Sequence, residues 1–342
     1  MQKNSHAIVE IDGFHWDSFL HPRLFQRVSV ELATGEASQA LWQCFDPHFQ
    51  VIDRYAGVAA GTGSLPVIRT WLGYGDDLGE PVFKGLLARV ERGESSTTFR
   101  AYDMSYVMRL VQKTRYLKGD ALQIIKKLVE EAKLKFKGPA KPLKLETHKA
   151  MAQDQQTDWQ HASELAHDDG LLLWTREDTV FADYPAKVSE PKRTLTYRKD
   201  FTILRNFDLA FKVPENKSGR PKGVEVRGRG RGGKRLKGSS DESQRGHEVL
   251  RIKKDLATHT KQRATARAQA QKELDREHAF TLSISQLFAE LPALRPDVRD
   301  TIRLMEVGKL FSGDYLADRV VHEFGPGKLS TTFELYRDVK EN

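Results

Sequence analysis

Two histidines and a run of carboxylates crowd into Thr157–Tyr184, TDWQHASELAHDDGLLLWTREDTVFADY. Imidazoles and carboxylates hold zinc and move protons, so His161, Glu164, His167 and Asp168 are the first residues to test for chemistry. Helical side chains converge on a ligand only when they share a face. His161 and Glu164, three residues apart, do; His167 lies about 120° round the helix from His161 and points elsewhere. The spacing is neither the His-Glu-x-x-His zinc pattern nor a facial triad. These four residues therefore read as a solvated helix face with carboxylates near its C-terminal end, and no metal, catalytic or cofactor-binding residue is assigned.

Other reactive candidates are as plain. Cys44 is the single cysteine, flanked by Trp42 and Phe45, and reads as a small buried hydrophobe. One cysteine excludes an internal disulfide and a cysteine-rich zinc module, which suits folding in a reducing cytoplasm. GVAAGTGSLP from Gly57 has glycine spacing similar to that of phosphate loops, but lacks the Lys-Ser/Thr and a following helix, so it reads as a plain loop. No Gly-x-Ser-x-Gly elbow occurs.

The strongest charge signal is RGRGRGGKRLKG, with Arg227, Arg229, Arg231, Lys234, Arg235 and Lys237. Between Asn216 and Lys272 stand 17 Lys and Arg against 5 Asp and Glu, a local +12. The rest of the chain has 38 basic and 42 acidic residues, so the net +8 belongs to this one segment. Two functions fit: phosphate contacts and arginine stacking on a nucleic acid, or docking of a basic hairpin onto an acidic protein surface. The interleaved Phe or Tyr usual in nucleic-acid-binding segments is missing, and the run follows a good strand, GVEV.

The elements that must carry these residues follow from periodicity. At 342 residues the chain calls for two or three domains. No apolar run approaches membrane-span length, and the N-terminus lacks the basic and apolar regions of a signal peptide. The first hundred residues alternate as half-buried strands do: HAIVEIDG, FQRVSVELA, VIRTWLGYG, VFKGLLARVERG and STTFRAYDM. QALWQCFDP is expected as a short helix stopped by Pro47. From about Ser105 the period becomes helical. Asp120 caps a helix that sets Leu122, Ile125, Leu128 or Val129, and Ala132 on one face, with Lys126 and Lys127 opposite.

Thr157 and Gln160 form a capping box, Trp159, Ala162, Leu165 and Ala166 share an arc, and Gly170 supplies a left-handed cap. A hairpin with a three-residue polar turn, Arg176-Glu177-Asp178, follows. After a linker, PAKVSEPKR, strands resume with TLTYR, FDLAFKV and GVEVRG. A long basic loop spans 227–246, and an alanine-rich surface helix spans 258–277. AFTLSISQL, RDTIRLMEV, YLADRVVHEF and LSTTFELYRDV complete the strands.

Three passages resemble the central baseplate hub of contractile phage tails, the late control protein D family, which is related to the N-terminal part of type VI secretion spike proteins. They are STTFRAYDMSYVMRLVQKTRYLKGDALQIIKKLVEEAKLKF, MAQDQQTDWQHASELAHDDGLLLWTREDTVFADY and GKLFSGDYLADRVVHEFGPGKLSTTFELYR. Each consists of packing and turn residues; the match lies in their order and spacing along almost the whole chain.

The resemblance implies a mainly β protein with an α+β insert: two similar small β-barrel tube domains, at 1–104 and 191–342, plus a peripheral helix–hairpin domain at 105–190. It further implies a homotrimer whose six barrels form a pseudo-sixfold ring, joining a sixfold tail tube to a threefold spike and leaving a channel for DNA ejection. The implied partners are a tube or tube-initiator protein above, a spike below and wedge proteins at the periphery. DNA would pass without specific binding, and the protein would reside in the virion tail after assembly in the host cytoplasm. No cofactor and no enzymatic activity are implied. The chain stops at Asn342, where a secretion-type spike would continue into a needle, so the expectation is a hub with a separate spike. A secretion-like hub without its needle is the neighbouring alternative. Arg227–Lys237 is expected to contact another baseplate or tube subunit.

Overall fold

Strict period-two burial builds most of this protein. In the computed structural model, Val9 and Ile11, Val28 and Val30, Ala40, Trp42 and Cys44, and Phe99 and Ala101 all turn to the same interior; the residues between them in β3, β4 and β7 are less buried, while Glu10 in β1 is buried as well. The structure describes residues 4–48, 50–55, 65–75, 78–140, 142, 148–184, 190–203, 224–229, 235–239, 250–256, 279–287, 295, 297–308, 311–325 and 328–338. For 148–149, 201–287 and 337–338 only the backbone of the described residues is considered.

The first β module contains β1 (Ser5–Ile11), β2 (Phe14–Asp17), β3 (Phe25–Ala33), β4 (Gln39–Phe45), β5 (Val67–Tyr74), β6 (Phe83–Arg92) and β7 (Ser96–Asp103), with a helical turn, α1 (Gln50–Asp53). A two-residue Asp12-Gly13 turn, both residues at positive φ, closes the β1–β2 hairpin. Gln39–Phe45 is a strand, not the expected short helix. Its alternation of Gln, Leu and Gln outward with Ala, Trp and Cys inward overrides the helix propensity of the individual residues.

The insert begins with a 3-10 helix at Met104–Arg109 and continues through β8 (Gln112–Gly119), α2 (Ala121–Glu131), β9 (Lys135–Lys137), β10 (His148–Thr157), α3 (Asp158–Asp168), β11 (Leu172–Arg176) and β12 (Thr179–Asp183). β8 pairs with β10, and β9 lies parallel to β12 beside β11. Both helices start on complete capping boxes, Asp120 with Gln123 and Thr157 with Gln160. The buried face of α2 is Ala121, Ile124, Ile125, Leu128 and Val129, while Leu122 and Ala132, expected on that face, are only partly buried. Burying Ile124, Ile125, Leu128 and Val129 contributes roughly 6–12 kcal/mol before entropy is counted. The β11–β12 register pairs Arg176 with Thr179, so the turn has two residues, not three: Glu177, at φ 50°, and Asp178.

The second β module contains β13 (Arg193–Thr196), β14 (Phe201–Ile203), β15 (Val224–Arg229), β16 (Arg235–Ser239), β17 (Leu250–Leu256), β18 (Ala279–Leu287), β19 (Thr301–Met305), β20 (Gly313–Gly325) and β21 (Lys328–Asp338). The expected FDLAFKV strand and the helix at 258–277 lie outside the described residues.

Three cores result. One gathers around Trp42, Phe99 and Leu87; one around Leu128, Trp159 and Leu173; the last around Leu304, Tyr315 and Phe333. The fold is mainly β with an α+β insert, as expected. One joint unites the two β modules: β20 pairs antiparallel with β3, from Arg319 opposite Ala33 to Phe324 opposite Val28. The ladder path β14-β18-β21-β20-β3-β4-β7-β6-β5-β1-β2 is therefore continuous, with β19 branching from β20 and β13 from β19. Phe324 and Leu329 cross the joint into the first core, and Leu32 crosses into the third.

Candidate functional site

The helix–hairpin unit does not gather its acids and histidines into a reactive centre. His161 is buried at 3% exposure, whereas the helix pattern placed it on the solvated face. Its Nδ1 lies 3.1 Å from Gln156 Oε1, and burial pushes its imidazole below the ordinary histidine pKa. Glu164 is exposed and accepts from Gln156 Nε2 at 2.8 Å, so one glutamine side chain serves both residues. His167 and Asp168 are half-buried further round the helix. Among the described residues no group of three or more potential ligands could hold a metal ion.

The charged centre of this unit is Asp158, which spacing had not singled out. It takes Lys113 Nζ at 2.5 Å, Arg115 Nη2 at 2.9 Å and Gln153 Nε2 at 2.9 Å. Burial alone would raise the Asp158 carboxyl, but the Lys113 and Gln153 hydrogen bonds and the two cations hold it below the usual carboxylate range. This network ties β8 and β10 to the start of α3, a structural task. Arg109 adds a second tie, its guanidinium 4.3 Å from the Trp159 ring centroid.

The concave feature of note lies where the three modules meet. A cavity of about 350 Å³ is lined by Leu32, Phe83, Asp103, Thr175, Asp297 and His322 among others. Asp103 ends β7 and caps the 3-10 helix, accepting from Ser38 N at 2.7 Å, Ser105 N at 2.9 Å and Ser105 Oγ at 2.5 Å. Burial nevertheless raises its pKa above the ordinary value. Burial also raises Asp297, against the pull of the Arg176 guanidinium. His322, on β20, sits inside the inter-module ladder between Val30 and Thr331, with Nδ1 2.9 Å from Thr331 Oγ1. Burial, helped by the Arg295 charge, pushes its imidazole down to about 3, so it is neutral at physiological pH. Each of these groups is paired with a neighbour: Asp103 with Ser38 and Ser105, Asp297 with Arg176, and His322 with Thr331.

The backbone course has parallels among solved structures. A tail protein from Neisseria meningitidis MC58 superimposes at TM-score 0.68 and 14% identity, with 98% of this chain and 97% of that one covered. The 43 kDa tail protein of prophage MuSo2 from Shewanella oneidensis gives 0.67 and 10%, with 97% and 98% covered. An Escherichia coli component of the type VI secretion system, described as structurally similar to the T4 tail proteins gp27 and gp5, gives 0.58 and 10% over 97% of this chain and 77% of that one. The fold is that of these tail proteins. No family model and no curated protein matches the sequence.

The basic segment expected as a loop at 227–246 is in part a ribbon. β15 and β16 pair antiparallel with Arg227 opposite Lys237 and Arg229 opposite Arg235, and β17 runs parallel to β15. Arg231 and Lys234 lie between the strands, outside the described residues, as does most of the loop from Gly57. Cys44 is fully buried, and burial pushes its thiol up to about 12, which makes it a packing residue as expected.

Two exposed apolar groups mark surfaces. Phe14, Phe19 and Leu20 flank β2, the last strand of the ladder path, where Arg54 lies 4.0 Å over the Phe14 ring. Leu110 and Val111 precede the β8–β10 ribbon, and Tyr116 lies in the middle of its first strand. Among the described residues the outer half of β6, from Arg89 to Arg92, pairs only with β7. No helix among the described residues is long and apolar enough to cross a membrane.

Proposed function

We propose that this protein is a structural subunit of a phage-type tail baseplate, a hub that assembles as a homotrimer. The observation that carries the reading is the β3–β20 joint, which makes two β modules of one chain into a single continuous sheet. Its support is the whole-length likeness in fold to tail proteins. A chain holding two such modules is a ready unit for a ring: three copies place six modules round an axis if each copy also joins the next. Among the described residues β14 ends the ladder at one side and the outer half of β6 pairs on one side alone, and both are suited to that second joint. Such a ring would match a sixfold tube on one side and a threefold spike on the other, with a lumen wide enough for DNA. The partners are then a tube or tube-initiator protein, a spike and peripheral wedge proteins, and the site of action is the virion tail after assembly in the host cytoplasm.

In this reading the β15–β16 ribbon with Arg227, Arg229, Arg235 and Lys237 docks on an acidic face of a neighbouring subunit, together with Arg231 and Lys234. The task is shape and symmetry, with no catalytic step. Electron microscopy of the purified protein with light scattering tests it. A three-copy mass and a ring with a central hole are the expected results, and a stable monomer at assembly concentrations overturns the reading.

A further inference from the structure

At the tip of the β11–β12 hairpin, two residues of opposite charge, Arg176 at the end of β11 and Asp178 in the turn, reach opposite β modules. Arg176 Nη1 lies 3.1 Å from Asp297 of the second module, and Asp178 Oδ2 lies 2.5 Å from Lys84 Nζ on β6 of the first. Just behind the turn, Leu173 O accepts from Gly35 N at 2.9 Å, and Trp174 packs against the third core. Lys84 and Asp297 also line the roughly 350 Å³ cavity, so the hairpin tip bridges the two β modules across it, beside the direct contact in which Arg295 Nη1 donates to Leu78 O at 2.6 Å.

We propose that this turn is a clasp: the insert, joined to the β modules at its own ends, also fixes the angle between them through Arg176 and Asp178. The mechanical reason is simple. Two modules joined by a strand pair can rock about an axis along that pair, because a ladder resists sliding far better than bending. The β3–β20 ladder is such an axis. Attachments to both sides at a point away from it triangulate the joint. Opposite charges two residues apart at the hairpin tip add polarity to the fit: the tip cannot be reversed without placing Arg176 beside Lys84 and Asp178 beside Asp297. Asp297 is largely buried, with a side-chain exposure of 18%, and so is Lys84 at 18%, so both anchors are screened from solvent on the module side. The inference concerns the single chain and holds whether or not rings form.

The test is a distance measurement between the modules in the full-length protein. Cysteines placed at Glu94→Cys on the first module and Met305→Cys on the second take spin labels, while the buried Cys44 does not react. Labelled chains are diluted with unlabelled ones so that only pairs within a chain contribute. With the native turn, double electron–electron resonance should give one narrow distance distribution. Arg176→Gln with Asp178→Asn should broaden it or add a second population. Asp178→Lys alone should do the same, and Lys84→Asp with Asp178→Lys should restore the narrow peak. Circular dichroism checks that each variant folds; if the neutral pair does not fold, the exchanged pair decides. A distribution unchanged by Arg176→Gln with Asp178→Asn, or equally broad in Asp178→Lys and its exchanged partner, overturns the clasp. A monomer that shows the expected broadening would sink the ring reading and leave the clasp standing.

Discussion

Lowering the pH from 7 to 5 should weaken this protein through buried imidazoles, His322 above all and His161 in the same sense. His322 is 1% exposed in the ladder that joins β3, β20 and β21, and burial, with the Arg295 charge adding to it, puts its pKa at about 3. The same side chain in an unfolded chain titrates near 6.5. The folded state therefore refuses a proton that the unfolded chain accepts. Stability is complete above about pH 6.5 and falls as the pH drops toward 3.

From pH 7 to pH 5 the loss is about 2 kcal/mol, and the whole effect, reached near pH 3, is about 5 kcal/mol. Asp103 and Asp297 act in the opposite sense. Burial raises their carboxyls, so the folded state takes their protons more readily than the unfolded chain does. The wild-type curve alone mixes the two effects, so the comparison is with His322→Asn, which keeps a hydrogen-bonding group near Thr331 and does not titrate. Urea midpoints followed by tryptophan fluorescence at each pH supply the stabilities. The wild type should lose about 2 kcal/mol more than the variant over the interval. Stability curves that run parallel within about 0.5 kcal/mol would refute a neutral, buried His322 at the joint.

Other outcomes follow from packing and charge. Gly85→Ala places a methyl 2.1 Å from Tyr102 O, in the β6–β7 ladder, and should cost about 3 kcal/mol in chemical denaturation. Leu128→Ala empties the centre of the insert core and should cost about 2–5 kcal/mol, while leaving the fluorescence of Trp42 in the first module unchanged until global unfolding. Replacing Arg227, Arg229, Arg235 and Lys237 by alanine should leave the oligomeric mass intact and abolish incorporation into assembled tails. Tight oligonucleotide binding at physiological salt, lost in that variant, would instead favour a nucleic-acid role.

Where one face of an element is buried, the sequence announced it. The alternation in FQRVSVELA, STTFRAYD and LSTTFELYRD located β3, β7 and β21, and the paired Thr157 and Gln160 located the start of α3. β8 and β10 were silent, because QKTRYLKG and HKAMAQDQQT form a ribbon with few inward side chains, chiefly Leu117 and Gln153, and so lack an apolar period. His322 left a trace that period-two reading can use: it shares the inward face of β20 with Val320 and Phe324, so VVHEF placed a histidine in the core. The β3–β20 joint and the Arg176 and Asp178 contacts left none, since pairings between distant segments leave no local pattern, and a charged turn looks the same whether it meets water or another module.

The β3–β20 ladder also sets a clock for biosynthesis. Val30 and its opposite number His322 are separated by 292 positions. At translation speeds of roughly 5–20 residues per second, the earlier strand waits about 15–60 s on the ribosome for its mate. Throughout that interval its edge is bare, and the neighbouring apolar interior lacks the Phe324 and Leu329 side chains that cap it. A nascent chain thus displays a sticky strand that a chaperone must shield, and messages translated slowly or interrupted late should yield aggregates rather than half-folded subunits.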